Sequence, residues 1–298
     1  MKSEHRELRR GERESSGARA GVPTLIGIPL DVNSSYLRGP AEAPSKIREA
    51  LRSDAANSWT ELGVDLGAAG AYNDAGDLAL KNFADSVTAD FSEIEQAIGK
   101  LLDEGRRPVS LGGDHSITYP VIKAFARRYP DLTIVHFDAH ADLYDEFQGS
   151  RVSHACPFAR IMENRLARRL VQVGIRTLTG HQREQAEKFG VEIVSMAAIH
   201  SRASAAYESV KIQGPVYISF DMDVLDPAFA PGISHREPGG MTVREAIAHL
   251  HAVEESIVGA DLVEFNPRQD VAGLTGIVAG KILKKILKEI LGMMVGQG

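Results

Sequence analysis

LTIVHFDAHADLYD, residues 132–145, carries an apolar run that stops abruptly, with three potential metal ligands at alternate positions behind it. Residues 132–137 are short, β-branched and mostly apolar. That suits a strand buried on both faces of a parallel sheet better than a helix, although a short apolar run alone leaves the choice open. Asp138, His140 and Asp142 follow. In extended chain a spacing of two puts all three on one side, whereas in a helix the middle residue points away. Two carboxylates and an imidazole converging at a strand end are unfavourable unless something positive sits between them. A divalent cation is the simplest answer. Taken alone, the same residues read equally well as a solvated loop whose side chains cap helix ends.

Two further stretches shift that balance. Residues 216–220, VYISF, end in Asp221 and Asp223, with Asp226-Pro227 just beyond, and residues 108–113, PVSLGG, run into Asp114 and His115. In a parallel α/β sheet the carboxyl ends of neighbouring strands line one crevice, which is where such folds hold ligands. Three strand ends then build one site from His115, Asp138, His140, Asp142, Asp221 and Asp223. Carboxylate-rich coordination with a minority of imidazole favours Mn²⁺ over the thiolate sites of structural zinc, without separating Mn²⁺ from Ni²⁺ or Co²⁺. The four aspartates balance two divalent ions, and such a pair acidifies a shared water to a hydroxide nucleophile at neutral pH. His136, inside the strand, is expected to be a packed or hydrogen-bonded core histidine.

GGDHS (112–116), DAHAD (138–142), SFDMDVLDP (219–227) and DLVEFNP (261–267) resemble, in this order, the four signature stretches of the ureohydrolases, the arginase and agmatinase family. The resemblance runs from about residue 24 to the last helix. NSSYLRGP (33–40), SHACPFARIME (153–163) and GISHREPGG (232–240) look most like plant-type arginases and their bacterial agmatinase-like relatives. The resemblance implies a three-layer α/β arginase-type fold with a mainly parallel central sheet and helices on both faces. It implies two Mn²⁺ per subunit on the six residues, and a homotrimer or homohexamer. The implied reaction splits a small cationic guanidino substrate into urea and an amine.

Within that scheme the resemblance assigns Glu264 to the guanidinium, which a carboxylate accepts in bidentate fashion. The alternative for Glu264 is an ion pair with Arg268. His154 matches the family histidine of proton transfer, the alternative being a loop histidine bonded to backbone. Asp142 would carry the proton of the attacking hydroxide to the departing amine. Arginine or agmatine is the expected substrate, while guanidinobutyrate and guanidine share the reacting group. Arginases that hold the α-amino-acid end of their substrate through the loop after the metal motif often have an asparagine there. Here Leu143-Tyr144-Asp145 stands instead, as in plant-type arginases, which puts recognition of an α-carboxylate in doubt or moves it to other groups. His235 and Glu237 are candidates for the pocket wall, and Gly180-His181 loosely matches a loop that contacts the substrate tail.

Length and composition agree with one soluble catalytic domain over residues 21–298: 298 residues, 43% hydrophobic and 25% charged, enough to bury a sizeable core. A formal charge of -6 argues against a generic nucleic-acid or membrane surface and suits a cationic substrate. The one cysteine, Cys156, excludes an internal disulfide, and a packed thiol is expected rather than a Cys–His nucleophile with His154. Residues 1–20 mix charges of both signs without an apolar run, so a flexible tail is expected rather than a signal peptide. No stretch approaches the roughly 18 apolar residues of a membrane span. The expected compartment is the cytoplasm.

Strands are expected at 24–30, 108–113, 132–137, 170–175, 191–196, 216–220 and 257–265, and helices at 43–51, 91–104, 118–128, 181–189, 241–255 and 276–291. Residues 63–66 and 75–78 take no assignment. The second helix shows the logic: Phe91, Ile94, Ile98, Leu101 and Leu102 share one face and Gly105 closes it. Strand alternating with helix is the α/β pattern. A two-metal phosphoesterase would use the same acids, but Glu264 repels a phosphoryl dianion. A one-zinc deacetylase leaves the second ligand group unexplained, and a non-catalytic scaffold leaves the intact ligand set unexplained.

Overall fold

The computed structural model describes residues 21–201, 212–253 and 256–295, so the tail expected at 1–20 lies outside the described residues. The strands are β1 (Pro23–Ile28), β2 (Asn73–Asp77), β3 (Arg107–Gly112), β4 (Thr133–Phe137), β5 (Arg169–Ile175), β6 (Glu192–Ser195), β7 (Val216–Asp221) and β8 (Ile257–Val263). They form one parallel sheet in the order β2-β1-β3-β8-β7-β4-β5-β6. The helices are α1 (Ala43–Leu51), α2 (Val87–Asp103), α3 (Thr118–Ala126), α4 (Pro157–Glu163), α5 (Gly180–Phe189), α6 (Met196–His200), α7 (Val243–His251) and α8 (Leu274–Val295).

The apolar runs of β1, β4, β7 and β8 are buried throughout because both faces of the sheet are covered. Successive side chains of β4 go to opposite cores. Ile134 joins Ile98 of α2, Phe125 of α3 and Phe158 of α4, while Val135 and Phe137 join Ile47 of α1, Ile247 of α7 and Ile286 of α8. Each such side chain contributes about 1.5–3 kcal/mol by leaving water. The three-layer expectation holds.

The structure adds α4 and α6 to the expected elements and shifts several ends by a few residues, and two of the differences have a plain physical reason. β2, NDAGD, is an exposed edge strand without an apolar run, so no hydrophobic pattern announces it. Ion pairs hold it in place: buried Arg48 of α1 meets Asp74 at 2.9 Å and also Asp77, and Arg52 meets Asp74 at 2.7 Å. β6 ends one residue before the expected 196, because the Ser195 side chain accepts from Ala198 N and starts α6.

The four central strands β3, β8, β7 and β4 point their carboxyl ends at one crevice, and every expected metal ligand leaves one of them or its following loop. Gly113 makes the β3 exit possible. A Cβ there would lie 1.8 Å from Leu30 O, so only glycine lets the chain press against the β1 loop and turn His115 inward. Among the described residues, no helix is long and apolar enough to cross a membrane.

Candidate metal centre

The segment after β4 does not stay extended. His140 N donates to Asp138 Oδ1 at 2.6 Å, which bends the chain at Ala139, and Asp142 adopts a left-handed φ of 49°. The three side chains consequently fan out. His115 Nδ1 lies 3.2 Å from Asp138 Oδ2, 3.1 Å from Asp142 Oδ2 and 3.2 Å from Asp221 Oδ2. His140 Nδ1 lies 2.9 Å from Asp223 Oδ2 and 3.5 Å from Asp138 Oδ1. All six expected ligands meet, in two adjacent groups, with Asp138 giving one oxygen to each.

This donor set fits divalent cations. His115 Nδ1 is buried and makes no hydrogen bond, although three carboxylate oxygens surround it. Atoms each about 2.1 Å from one ion and at right angles are about 3 Å apart, close to these separations. Two of the acids are short of positive charge. Burial, then the charges of Asp223 and Asp138, raises Asp221 well above the carboxylate range, and burial with Asp138 pushes Asp223 up to about 6. His136 stands within reach of His115 and Asp138 as a candidate further ligand, but its ring nitrogens have other partners. Its Nε2 is 2.7 Å from Asp138 Oδ2 and its Nδ1 3.0 Å from Gln172 Nε2, so both ring nitrogens are engaged, as expected of a hydrogen-bonded core histidine.

Glu264 follows β8 with a left-handed φ of 62°. Its Oε1 accepts from His115 N at 2.8 Å and lies 2.8 Å from His154 Nδ1. Arg268 turns away to Glu42 at 2.7 Å, which removes the alternative ion pair. His154 is bonded through its ring to Glu264 and, through Nε2 at 2.8 Å, to Ser35 Oγ, not to backbone. Burial disfavours the imidazolium, but Glu264 outweighs it and the group is raised to about 9. Asp114 holds the loop that carries Ser35: its Oδ2 accepts from Asn33 N at 3.0 Å and Ser34 Oγ at 3.3 Å.

These groups line a cleft of 190 Å³. His235 stands in its wall, whereas Glu237 contributes only a backbone carbonyl to Arg176 at 2.6 Å. His181 is exposed and stacks on Tyr144 of the cleft wall with 5.8 Å between ring centroids. Cys156 is a packed thiol, buried and pushed up to about 12 by that burial.

Residues 23–288 match the family model described as the Arginase family. The chain belongs to the arginase family. "Arginase 1, mitochondrial" of Arabidopsis thaliana is 45% identical over 279 residues, which is 90% of this chain and 81% of that protein. An agmatinase of Bacillus subtilis (strain 168) is 35% identical over 267 residues, 88% of this chain and 89% of that protein. The solved arginase from Medicago truncatula superposes with a TM-score of 0.84 at 40% identity, covering 91% of this chain and 88% of that one. The expected likeness to plant arginases is thereby borne out, and the protein is, with these relatives, an amidinohydrolase.

What holds the arginase-family ligands in place went unread in the sequence. His115 Nε2 donates to Ser219 Oγ at 2.9 Å, and that hydroxyl donates to Asp261 Oδ1 at 2.7 Å. Thr118 Oγ1 and Tyr217 OH donate to Asp261 Oδ2 at 2.9 Å each. A hydroxyl already donating to Asp261 accepts from the imidazole, which leaves the lone pair on Nδ1, facing the carboxylates. A readable signal existed: Asp261 is an acid inside the apolar run IVGADLV, where a buried charge demands partners. Replacing Asp261 with Asn is expected to weaken metal affinity about 10–100-fold, the usual cost of losing such support. Titration of the metal-free protein followed by calorimetry checks it, and unchanged affinity would mean that the ring is held by other contacts.

Proposed function

We propose that the protein hydrolyses the guanidino group of arginine or agmatine to urea and an amine, with two Mn²⁺ per subunit. The observation that carries this reading is the grouping of His115, Asp142 and Asp221 at one spot and His140 and Asp223 at a second, joined by Asp138, with Glu264 and His154 on the same cleft. These six residues would hold the ions. When bound, such a pair acidifies a shared water and supplies a nucleophile at neutral pH.

The chain's own groups do the rest. Glu264 accepts the guanidinium and orients its central carbon, and positioning of that kind lowers the barrier by removing the search for a reactive geometry. Asp142 takes the proton of the attacking water and passes it to the departing nitrogen. His154, raised to about 9, is cationic at neutral pH and supplies or recovers a proton through Nε2 and the Ser35 hydroxyl. Among the described residues no lysine or arginine lines the cleft, and Glu264 there repels a phosphoryl dianion while it suits a guanidinium.

The test is a urea assay over arginine, agmatine, guanidinobutyrate and guanidine after reconstitution with Mn²⁺, Ni²⁺ or Co²⁺ in turn. Urea from arginine or agmatine, highest with Mn²⁺, is expected; no urea from any compound with any ion defeats the reading. On the same footing we assign the protein to the cytoplasm and to a homotrimer or homohexamer, the latter read by light scattering.

A further inference from the structure

We infer that Arg176 is a positioning residue for one of the two ions only, that of the His140 and Asp223 group, and that it acts by holding backbone rather than by its charge. The inference rests on the two-ion reading above. Arg176 follows β5 directly, and its guanidinium spends four of its five N–H groups on carbonyl oxygens. Nη2 donates to Asp223 O and Glu237 O at 2.6 Å each, Nε to Glu237 O at 3.0 Å and Nη1 to Val224 O at 3.2 Å. Among the described residues no carboxylate accepts from it. The chain makes room for this fork, since a Cβ on Gly240 would lie 2.8 Å from Arg176 Nη2.

What the fork holds is one half of the metal centre. Arg176 N donates to Ala139 O at 3.0 Å, Ala139 N donates to Asp223 Oδ1 at 3.1 Å, and the guanidinium returns to Asp223 O. That circuit closes on itself. It grips Asp223 at both its carboxylate and its carbonyl, and it grips the peptide next to His140. A planar guanidinium presents its donors in a rigid array, so the carbonyls of residues 223, 224 and 237 keep one spacing. A lysine ammonium, a compact charge on a flexible stem, imposes no such spacing. The other half leans elsewhere: His115 is held by Ser219, and Ser219 by Asp261, neither of which bonds to Arg176. Loss of the fork should therefore fall on one ion and spare the other.

The experiment titrates the metal-free protein with Mn²⁺ by calorimetry, with bound metal counted by elemental analysis, for wild type, R176M, R176K, H140A and R176M/H140A. R176M should bind one ion as wild type does and the second about 10–100-fold more weakly. R176K keeps the charge without the fork and should lose at least about tenfold at the same step. H140A should abolish that step, and R176M/H140A should bind its remaining ion as H140A does. The inference is overturned, with the two-ion reading left standing, by equal weakening of both ions in R176M, by unchanged affinity for both, by R176K indistinguishable from wild type, or by further loss on adding R176M to H140A. A single ion in wild type overturns both. Should R176M fail to fold, R176K decides.

Discussion

Replacing Asp138 with Asn leaves a chain that no longer retains either metal ion and releases urea at least about 10³-fold more slowly, because metal ions supply several kcal/mol of charge stabilisation and each 1.36 kcal/mol is tenfold in rate. Asp138 is the residue to choose because its two oxygens face different groups, Oδ2 towards His115 at 3.2 Å and Oδ1 towards His140 at 3.5 Å. It is wholly buried, so removing its charge removes a negative charge that both groups of would-be ligands share and that solvent does not reach. The asparagine is near in shape and keeps an oxygen for His140 N, which spares the bend after β4. Metal-to-protein ratio and urea release, measured on the same preparation, check the expectation. Full turnover with both ions retained would end the two-ion scheme.

Glu264→Gln should lower kcat/KM by about 10²–10³-fold while metal content stays at the wild-type ratio. The side chain keeps its length and the φ of 62°, which Gln tolerates no worse than Glu, so the difference is charge alone. Losing one partner of a buried, hydrogen-bonded charge pair costs about 2–5 kcal/mol. Here the partner is the guanidinium during turnover and His154, 2.8 Å away, before it. The loss should concentrate in kcat if Glu264 mainly aims the reacting carbon, and in KM if it mainly binds. Undiminished kcat/KM would remove Glu264 from the reaction.

Much of the site was legible because strand ends are local objects. An apolar run that stops at an acid, repeated at Asp138, at Asp221 and, through GGDH, at His115, needs only period-two geometry and the habit of parallel sheets to place ligands at one crevice. The outcome for Asp138, His140 and Asp142 was right in kind and different in form. Their convergence comes from a bend and a left-handed Asp142 rather than from a plain extended segment. β2 was not legible, since an exposed polar edge held by Arg48 has no hydrophobic period to read. The competition over Glu264 was open in the sequence, because Arg268 is only four residues on; the structure gives Arg268 to Glu42 instead.

The amino-acid order by itself determined the strand-helix alternation, which six acids and histidines stand at the strand ends and the absence of an internal disulfide, because each depends on neighbours a few residues apart or on composition. Only the tertiary structure decided how those ligands divide between two groups, that Asp138 belongs to both, which nitrogen of His115 faces the acids, and what walls the cleft. Those properties are set by contacts such as Ser219 with His115 and Glu264 with His115 N, 104 and 149 residues apart in the chain. No local pattern encodes such pairings; they exist once the sheet order brings β3, β8, β7 and β4 side by side and burial leaves the polar atoms only one another as partners.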